Sequence, residues 1–436
     1  MSNKILISVI SAVAAFTTMH APAAQTTQQL VQSVLPDVTA WRRDIHQHPE
    51  LSNREQRTAK LVADELKKLG YAVHTGIAHT GVVGVLKGGK PGPKLAIRAD
   101  MDALPVSEEV DLPFASKVKS EYLGKTVGVM HACGHDTHTA MQLGLAEIFA
   151  RMKNELPGEI MLIFQPAEEG KPPGEEGGAE LMVKEGVFRD FKPDAIFGMH
   201  VVSPLNVGTV GVRAGGAMAS SDAFRVTVRG RQTHGAMPWK GIDPIVTASE
   251  IVTAAQAIVS RQLDINKQPA VVTFGTFNAG TRFNIVPDTA ELSGTIRTFD
   301  EGMRAQIMTS LKSIVEHIAA ANGATVETKI PSSDSTNPVL YNDPALAARV
   351  RASVEKALGK EHVVEAERWT ASEDFPYFGK GANVPSVYFF VGATPLGQDP
   401  VTAPANHSPK FFVDEGALAV GTQAMLQASL DFLGYK

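Results

Sequence analysis

The stretch Ile160-Met-Leu-Ile-Phe-Gln-Pro-Ala-Glu-Glu-Gly170 joins a short apolar run to two adjacent carboxylates. A continuous apolar run of this length between turn signals is typical of a strand that is buried on both faces. Ala195–Met199 and Ser386–Val391 have the same character, and segments with helical periodicity lie between the runs. This alternation predicts an α/β sandwich domain with a mostly parallel sheet.

A segment from about Ser221 to Ile330 follows a different order, strand-helix-strand-strand-helix-strand. That order is the ferredoxin-like βαββαβ unit. Asp300 is placed to cap its second helix. We therefore predict an α/β domain formed by residues 25–215 and 331–436, with a ferredoxin-like domain inserted at residues 216–330.

Composition excludes several classes of protein. Hydrophobic residues make up 44% and charged residues 20% of the 436 residues, which argues against a mainly disordered or fibrous chain. The net charge is −5 and no basic block stands out, so we expect no nucleic-acid partner. The single cysteine excludes an intramolecular disulfide.

The first 24 residues have the pattern of a signal peptide. Lys4 precedes the apolar stretch Ile5–Phe16, and Ala21-Pro-Ala23 resembles a cleavage site. An amphipathic or disordered N-terminus is the alternative, because one lysine is a weak basic region. We expect a periplasmic or secreted protein whose mature form has no membrane association, since no later apolar stretch reaches about 18 residues.

Metal-binding residue types are concentrated in His131-Ala-Cys-Gly-His-Asp136, just before a helical pattern. A thiolate and an imidazole two residues apart on a loop can reach one ion. The helix N-terminus and a nearby cation are both expected to lower the pKa of the Cys133 thiol. The alternative is an inert buried cysteine beside surface histidines.

Further candidates follow probable strands. They are Glu168 and Glu169, His200, His407, and the pair Asp100 and Asp102. Each has an ordinary explanation, such as a solvated loop carboxylate or a turn-forming aspartate. If the strands are parallel, however, the loops after them meet at one edge of the sheet. One glutamate could then bind a metal while its neighbour acts as a base.

These residues resemble the M20 metallopeptidase family, in particular its amidohydrolase branch of N-acyl-amino-acid amidohydrolases, hippurate hydrolases and plant auxin-conjugate hydrolases. The resemblance extends over nearly the whole chain after the signal peptide, in family order. The matching segments are Arg42-Arg-Asp-Ile-His-Gln-His-Pro-Glu50, Arg98-Ala-Asp-Met-Asp-Ala-Leu-Pro105, His131-Ala-Cys-Gly-His-Asp136, Gln165-Pro-Ala-Glu-Glu-Gly170, Met199-His200, Thr233-His-Gly-Ala-Met-Pro238, Asn284-Ile-Val-Pro287, Ser372-Glu-Asp-Phe375 and Asn406-His-Ser408.

The resemblance implies two divalent ions per subunit, with the cysteine bridging them. The implied ligands are Cys133, His135, Glu169, His200 and His407. Zinc or manganese suits this donor set, and cobalt or nickel is possible. Glu168 is the implied general base, and Asp102 is expected to orient a ligand.

The resemblance also implies a function for the inserted domain, which caps the active site and forms a homodimer in this family. His234 and Asn284 of the insert would contact the substrate, His234 in the partner subunit's site. Two departures stand out. Other branches have a histidine ligand where this chain has Asp100, and Lys171–Glu176 is longer than the usual glycine run after the glutamate pair.

The sequence therefore predicts a metal-dependent hydrolase that cleaves small N-acyl amino acids through metal-activated water. A dipeptidase or carboxypeptidase of the same family is the alternative, with a dipeptide as substrate. A cysteine hydrolase using Cys133 has no need for four further metal-binding side chains. A periplasmic metal-binding protein has no use for an unligated carboxylate such as Glu168.

Overall fold

A computed structural model of the chain describes residues 26–332 and 336–435, so the predicted signal peptide lies outside the described residues. The helices are α1 Thr27–Gln47, α2 Gln56–Lys68, α3 His135–Met152, α4 Gly178–Lys184, α5 Pro244–Ala257, α6 Glu301–Ala321, α7 Pro344–Leu358, α8 Pro376–Ala382 and α9 Gly416–Leu433. Within residues 26–332 and 336–435, no helix combines the length and apolar character that a membrane crossing requires.

The strands are β1 Ala72–Ile77, β2 Gly81–Lys87, β3 Lys90–Asp100, β4 Lys119–Tyr122, β5 Lys125–Gly128, β6 Pro157–Gln165, β7 Ala195–Asn206, β8 Val210–Val212, β9 Gly215–Met218, β10 Ser221–Arg229, β11 Thr233–His234, β12 Ala270–Ala279, β13 Ile285–Val286, β14 Thr289–Thr298, β15 Thr325–Lys329, β16 Thr336–Asn337, β17 Leu340–Asn342, β18 Val363–Glu365 and β19 Ser386–Thr394.

An eight-stranded sheet organises the larger part of the fold, in the order β1-β2-β6-β3-β7-β19-β8-β18. The central strands β6, β3, β7 and β19 run parallel to one another, whereas β2 joins β6 and β8 joins β19 antiparallel. Alternate strand residues pack into two different cores. Helices α1, α3 and α9 cover one of them, and α4 and α8 the other. The predicted α/β class with a mostly parallel sheet is confirmed.

The second sheet is antiparallel and has five strands, with β12-β14-β10-β15 in order and the short β16 also paired with β10. Helices α5 and α6 pack on it through a separate core that includes Phe224, Leu292 and Leu311. The carboxylates of Asp243 and Asp300 accept hydrogen bonds from the first-turn amides of these helices, as N-caps do. The domain boundaries and the function of this insert remain predictions.

The parallel strands bring chemically active residues to one edge of the large sheet. β3 ends at Asp100 and β6 ends at Gln165, three residues before the glutamate pair. His200 was expected directly after a strand. It lies inside β7, which continues to Asn206 and pairs His200 with Phe390 of β19. Because β7 is longer than its apolar run, sequence pattern alone placed the strand end too early.

Candidate metal centre and active site

The loop that carries Cys133 turns directly into α3 at Gly134. This glycine has φ of +94°, and a Cβ there would collide with the side chain of Val201. His135 is the first residue of the helix. Its Nδ1 lies 2.9 Å from the backbone oxygen of Asp102, which can only accept, so Nδ1 carries the proton. The Nε2 lone pair of His135 is thereby left for another partner.

The sulfur of Cys133 lies between two imidazoles. His200 Nε2 is 3.3 Å from Sγ, and His407 Nε2 is 3.2 Å from it. The other nitrogen of His200 donates to the backbone oxygen of Val201 at 2.7 Å, which fixes its tautomer. His407 Nε2 also lies 3.1 Å from Glu169 Oε1.

Asn406 holds the C-terminal loop against the rest of the site. Its side-chain amide donates to the backbone oxygens of Cys133, at 3.2 Å, and of Val201, at 3.1 Å. The following His407 has φ of +74°, and its amide donates to the oxygen of Ala132 at 2.7 Å. These bonds stabilise a backbone conformation that is uncommon for a histidine.

Asp102 positions the two glutamates. Its carboxylate accepts the backbone amides of Glu168, at 3.1 Å, and of Glu169, at 3.0 Å. Ser52 Oγ donates to the same carboxylate at 2.7 Å. Ala167, just before the pair, has φ of +52°, so the turn depends on these external bonds. Through these bonds Asp102 contacts the backbone of both glutamates, and its role in orienting a metal ligand remains a prediction.

A second supporting carboxylate, Glu55, was missed in the sequence. It is fully buried and accepts the amide of Ala167 at 2.9 Å and the hydroxyl of Thr80 at 2.5 Å. Burial and the nearby charge of Asp102 raise the pKa of Glu55 to about 8. No motif signalled it, because its partners lie far away in the chain.

The five predicted ligands form two overlapping groups, in each of which all donor atoms lie within 4.8 Å of one another. One group is Cys133, His135 and His200, and the other is Cys133, Glu169 and His407. Zinc bonds of about 2.0 to 2.3 Å would place tetrahedral ligand atoms about 3.5 Å apart, close to the distances found here. The sulfur belongs to both groups, as a bridging ligand would.

A buried ring nitrogen of this cluster lacks a hydrogen-bond partner. Among the described residues, nothing hydrogen-bonds to His135 Nε2, and Glu169 Oε1 has a close contact with His407 Nε2, at 3.1 Å. A buried lone pair without a partner is costly unless a cation binds it. The donor set therefore fits a pair of divalent ions.

The electrostatics of the cluster also favour a cation. Burial and the carboxylates of Glu169 and Glu168 raise the pKa of the Cys133 thiol well above its usual value. The lowered pKa expected from the sequence included a nearby cation and stays a prediction for the metal-bound protein. Burial alone would lower the pKa of His135. The negative charges of Asp100 and Asp102 outweigh this effect and raise the pKa to about 10. A divalent cation would offset this excess of negative charge.

His138 and Asp100 lie beside the cluster but are already engaged. His138 donates from Nδ1 to Asp100 Oδ1 at 2.6 Å and accepts the amide of Val201 at Nε2, at 2.9 Å. Both ring nitrogens of His138 are therefore used.

Burial and His138 lower the pKa of His200, which keeps His200 neutral, as a metal-binding imidazole must be.

An ionic network lies behind Glu168. The buried guanidinium of Arg98 contacts Asp100 at 2.6 Å, Glu373 at 2.8 Å and Asp374 at 3.2 Å. Burial, Glu373 and Glu169 raise the pKa of the Glu168 carboxyl well above its usual value. This raised pKa favours proton uptake by Glu168.

A cavity of about 380 Å³ opens in front of these residues. Its lining includes Glu168, Glu169, Lys171, Arg297, Asn337 and His407. Arg297, at the end of β14, was missed in the sequence. Its guanidinium makes no hydrogen bond or salt bridge with another described residue, although the charge of Asp222 acts on it. It can therefore bind an anionic group of a ligand.

The structure does not place His234 and Asn284 in the lining of this cavity. The two are neighbours in the insert, where the amide of Gly235 donates to the backbone oxygen of Asn284 at 2.8 Å. Their roles in substrate binding remain predictions. Two carboxylates of the loop Lys171–Glu176, those of Glu175 and Glu176, form salt bridges with Arg54 and Lys184 and do not belong to the ligand groups.

Comparison with known proteins finds peptidases and amidohydrolases among the relatives of this chain. Residues 96–431 match the family described as Peptidase family M20/M25/M40. The chain is 42% identical over 392 residues to thermostable carboxypeptidase 1 of Saccharolobus solfataricus, covering 90% of this chain and 94% of the relative. It is 44% identical over 300 residues to an N-acyl-L-amino acid amidohydrolase of Geobacillus stearothermophilus, covering 69% of this chain and 77% of the relative.

A solved structure is also similar. The YXEP protein of Bacillus subtilis, described as a dinuclear metal binding peptidase from the M20 family, aligns with a TM-score of 0.75 and 34% identity. The alignment covers 93% of this chain and 100% of that chain.

The prediction of a periplasmic or secreted protein was wrong. It was based on residues 1–24, which lie outside the described residues, and the first described helix begins only at Thr27. None of the relatives named above is described as an exported protein. The apolar N-terminal pattern therefore does not support an assignment of location.

Proposed function

Because the chain belongs to the M20/M25/M40 peptidase family, whose members hydrolyse amide C–N bonds, we propose that it removes the acyl group from N-acyl amino acids. One observation carries this proposal. The guanidinium of Arg297 lines the same cavity as Glu168, Glu169 and His407. A substrate with a free carboxylate can bind Arg297 while its amide bond lies over the glutamates.

Cys133, His135, Glu169, His200 and His407 would hold two divalent ions. Bound there, such ions would supply Lewis-acid polarisation of the amide carbonyl and lower the pKa of water. Zinc and manganese both suit the mixed sulfur, nitrogen and oxygen donors.

Glu168 would serve as the general base. It lines the cavity, and Asp102 holds its backbone in place through a 3.1 Å hydrogen bond. Its raised pKa suits a group that takes a proton from the attacking water and passes it to the leaving amine. Asp102 would fix His135 and the glutamate turn without touching the substrate.

We further propose that the chain forms a homodimer through the insert, so that His234 and Asn284 reach the cavity of the partner subunit. Apolar side chains close to these two residues are exposed, with Trp239 at 75% and Phe283 at 96%. Strand β12 is an edge strand of the insert's sheet. Exposed aromatic side chains and an open sheet edge favour association. Light scattering at several concentrations tests this assembly.

A carboxypeptidase acting on peptides is the second candidate. It is favoured by the similarity to thermostable carboxypeptidase 1, and its substrates also carry a free carboxylate. A cysteine hydrolase fits less well, because the raised pKa of Cys133 disfavours a free thiolate nucleophile. A pure metal-binding protein would not need Glu168 beside its ligands.

The test is an assay of the full chain, reconstituted with zinc or with manganese, against N-acyl amino acids and against dipeptides with the same C-terminal residue. We expect the N-acyl amino acids to be hydrolysed with the higher kcat/KM. A higher kcat/KM for the dipeptides would favour the carboxypeptidase. Hydrolysis of neither class would contradict both proposals.

A further inference from the structure

A buried histidine near the end of α1 has no part in the function proposed above. It is His46, in the segment Arg42–Glu50. Its side chain is 4% exposed and lies between two carboxylates, with Nδ1 2.9 Å from Asp136 and Nε2 3.1 Å from Glu108. An ionised carboxylate only accepts hydrogen bonds, so both ring nitrogens donate and His46 is an imidazolium.

The groups around His46 favour this charged form. Burial alone would lower the pKa of His46, but Asp136 and Glu108 outweigh this effect and raise the pKa. Arg42, one turn earlier in α1, lies 3.0 Å from the same oxygen of Asp136. The ring of Phe114 packs against both cations, with its centre 4.6 Å from the Arg42 guanidinium and 5.6 Å from the centre of the His46 ring. The cluster is therefore a covered ionic network.

On one side, His46 contacts the helix that begins with a candidate ligand. Asp136 follows His135 directly and lies in the first turn of α3. The contact between His46 and Asp136 therefore joins the end of α1 to the start of α3. His135 has a further support, since its Nδ1 also contacts the backbone oxygen of Asp102.

On the other side, His46 holds a loop in place. Glu108 accepts the bond from His46 and also the backbone amide of Ser116, at 2.5 Å. Because Ser116 is eight residues after Glu108, this carboxylate closes the loop of residues 108–116. The contact with His46 fixes the closed loop to α1.

The loop 108–116 in turn supports His407. Glu109 donates its backbone amide to the backbone oxygen of Pro409 at 2.8 Å. Pro409 lies two residues after His407, whose side chain is 54% exposed. The chain of contacts from His46 through Glu108 and Glu109 therefore ends beside a second candidate ligand.

We propose that His46 is a positioning residue of the metal centre and acts mainly on the ion that Cys133, Glu169 and His407 would hold. The inference rests on the proposed function, which requires two ions. Without the imidazolium, Glu108 loses its buried partner and the loop 108–116 is released, so the loop of His407 loses the support of Glu109. The group that contains His135 is affected less, because the backbone of Asp102 still holds His135.

The test measures the affinity of the full chain for two zinc ions by competition with a chelator. We expect His46→Gln and Glu108→Ala each to weaken the binding of one ion by about 10 to 100-fold, and that of the other by less than about threefold. The value of kcat at saturating zinc should return to that of the wild type. Glu108→Ala leaves the contact between His46 and Asp136 in place, so it tests the proposal even if His46→Gln does not fold.

A third variant identifies the weakened ion. His407→Ala removes a ligand of one ion only, and adding Glu108→Ala to it should not weaken the remaining ion further, because both changes act on the same ion.

Two matched controls lie next to the changed positions. His48→Gln is the control for His46→Gln, since His48 is 46% exposed in the same segment and its Nδ1 contacts the backbone oxygen of Asp44. Glu109→Ala is the control for Glu108→Ala, because the side chain of Glu109 is 56% exposed and its backbone amide is retained. Neither control should change the affinity for either ion.

The inference is overturned if Glu108→Ala weakens neither ion, weakens both equally, or weakens the ion that remains in His407→Ala. A lower Tm with both affinities unchanged also overturns it, since His46 would then only support the fold. In these cases two bound ions and hydrolysis of N-acyl amino acids by the wild type leave the proposed function intact. If the wild type binds fewer than two zinc ions, the proposed centre fails and this inference fails with it.

Discussion

Cys133 Sγ lies 3.2 Å from Nε2 of His407, although the two are 274 residues apart in the chain. The contact joins a loop before α3 to a loop before α9, and the Asn406 side chain maintains it. Because the same sulfur also lies 3.3 Å from His200, one atom connects both groups of candidate ligands. This connection is the basis of the dinuclear centre that we propose.

Replacing the candidate base should separate chemistry from binding. We expect Glu168→Gln to lower kcat by about 10² to 10⁴-fold, since proton transfer is lost while the carbonyl oxygen of the side chain remains. Metal content and Tm should stay close to those of the wild type. Glu176→Gln, which changes an exposed carboxylate bound to Lys184, is the matched control. Retention of most of the activity in Glu168→Gln would contradict its assignment as the base.

Removing the candidate carboxylate anchor should weaken substrate binding. Arg297→Ala is expected to raise KM for N-acyl amino acids by about 10 to 150-fold, because a charge-assisted pair contributes about 1.5 to 3 kcal/mol. Substrates whose carboxylate is converted to an amide should show little change. Arg229→Ala serves as the control, since Arg229 binds Glu327 and does not line the cavity. An equal effect on both substrate classes would rule out a carboxylate contact.

Asp102 is predicted to act on metal affinity. In Asp102→Asn, the side-chain amide can accept only one of the two glutamate amides and repels the other. We expect metal affinity, measured by competition with a chelator, to fall by about 10 to 100-fold. A lower Tm with unchanged metal affinity would show that Asp102 only supports the fold.

Glu55 should make the stability of the metal-free protein depend on pH. Its pKa is raised from 4.5 to about 8, so the folded state holds the proton more tightly than the unfolded state does. The stabilisation from this group is complete below about pH 4.5 and is lost as the pH rises through 8. Glu55→Gln mimics the protonated form and should flatten Tm between these values. A Tm profile that is the same in both proteins would exclude this linkage.

Sequence pattern was sufficient to predict the elements that depend on residues close together in the chain. The apolar run before Glu168 is β6, and Asp300 caps α6 through a hydrogen bond to Met303, because burial and capping depend on neighbouring residues. The convergence of Cys133, Glu169 and His407 also followed, since the strands are parallel.

Relationships between distant residues could not be predicted in the same way. Glu55 contacts Ala167 across 112 residues, and Glu55 belongs to none of the motifs. Arg297 was not recognised because an arginine in an alternating strand is ordinary until its neighbours are known. The rise that the protein groups cause in the pKa of Cys133 was also missed, because it depends on how deeply the thiol and the glutamates are buried together.

The most direct test of the account is the number of divalent ions bound per chain, measured by elemental analysis of the reconstituted protein together with hydrolysis of an N-acyl amino acid. We predict two ions per chain, activity that disappears with a chelator and returns with metal, and lower occupancy of both ions in Cys133→Ser. A metal-free protein that hydrolyses the substrate, or a Cys133→Ser variant that keeps two ions and full activity, would contradict the shared-sulfur centre.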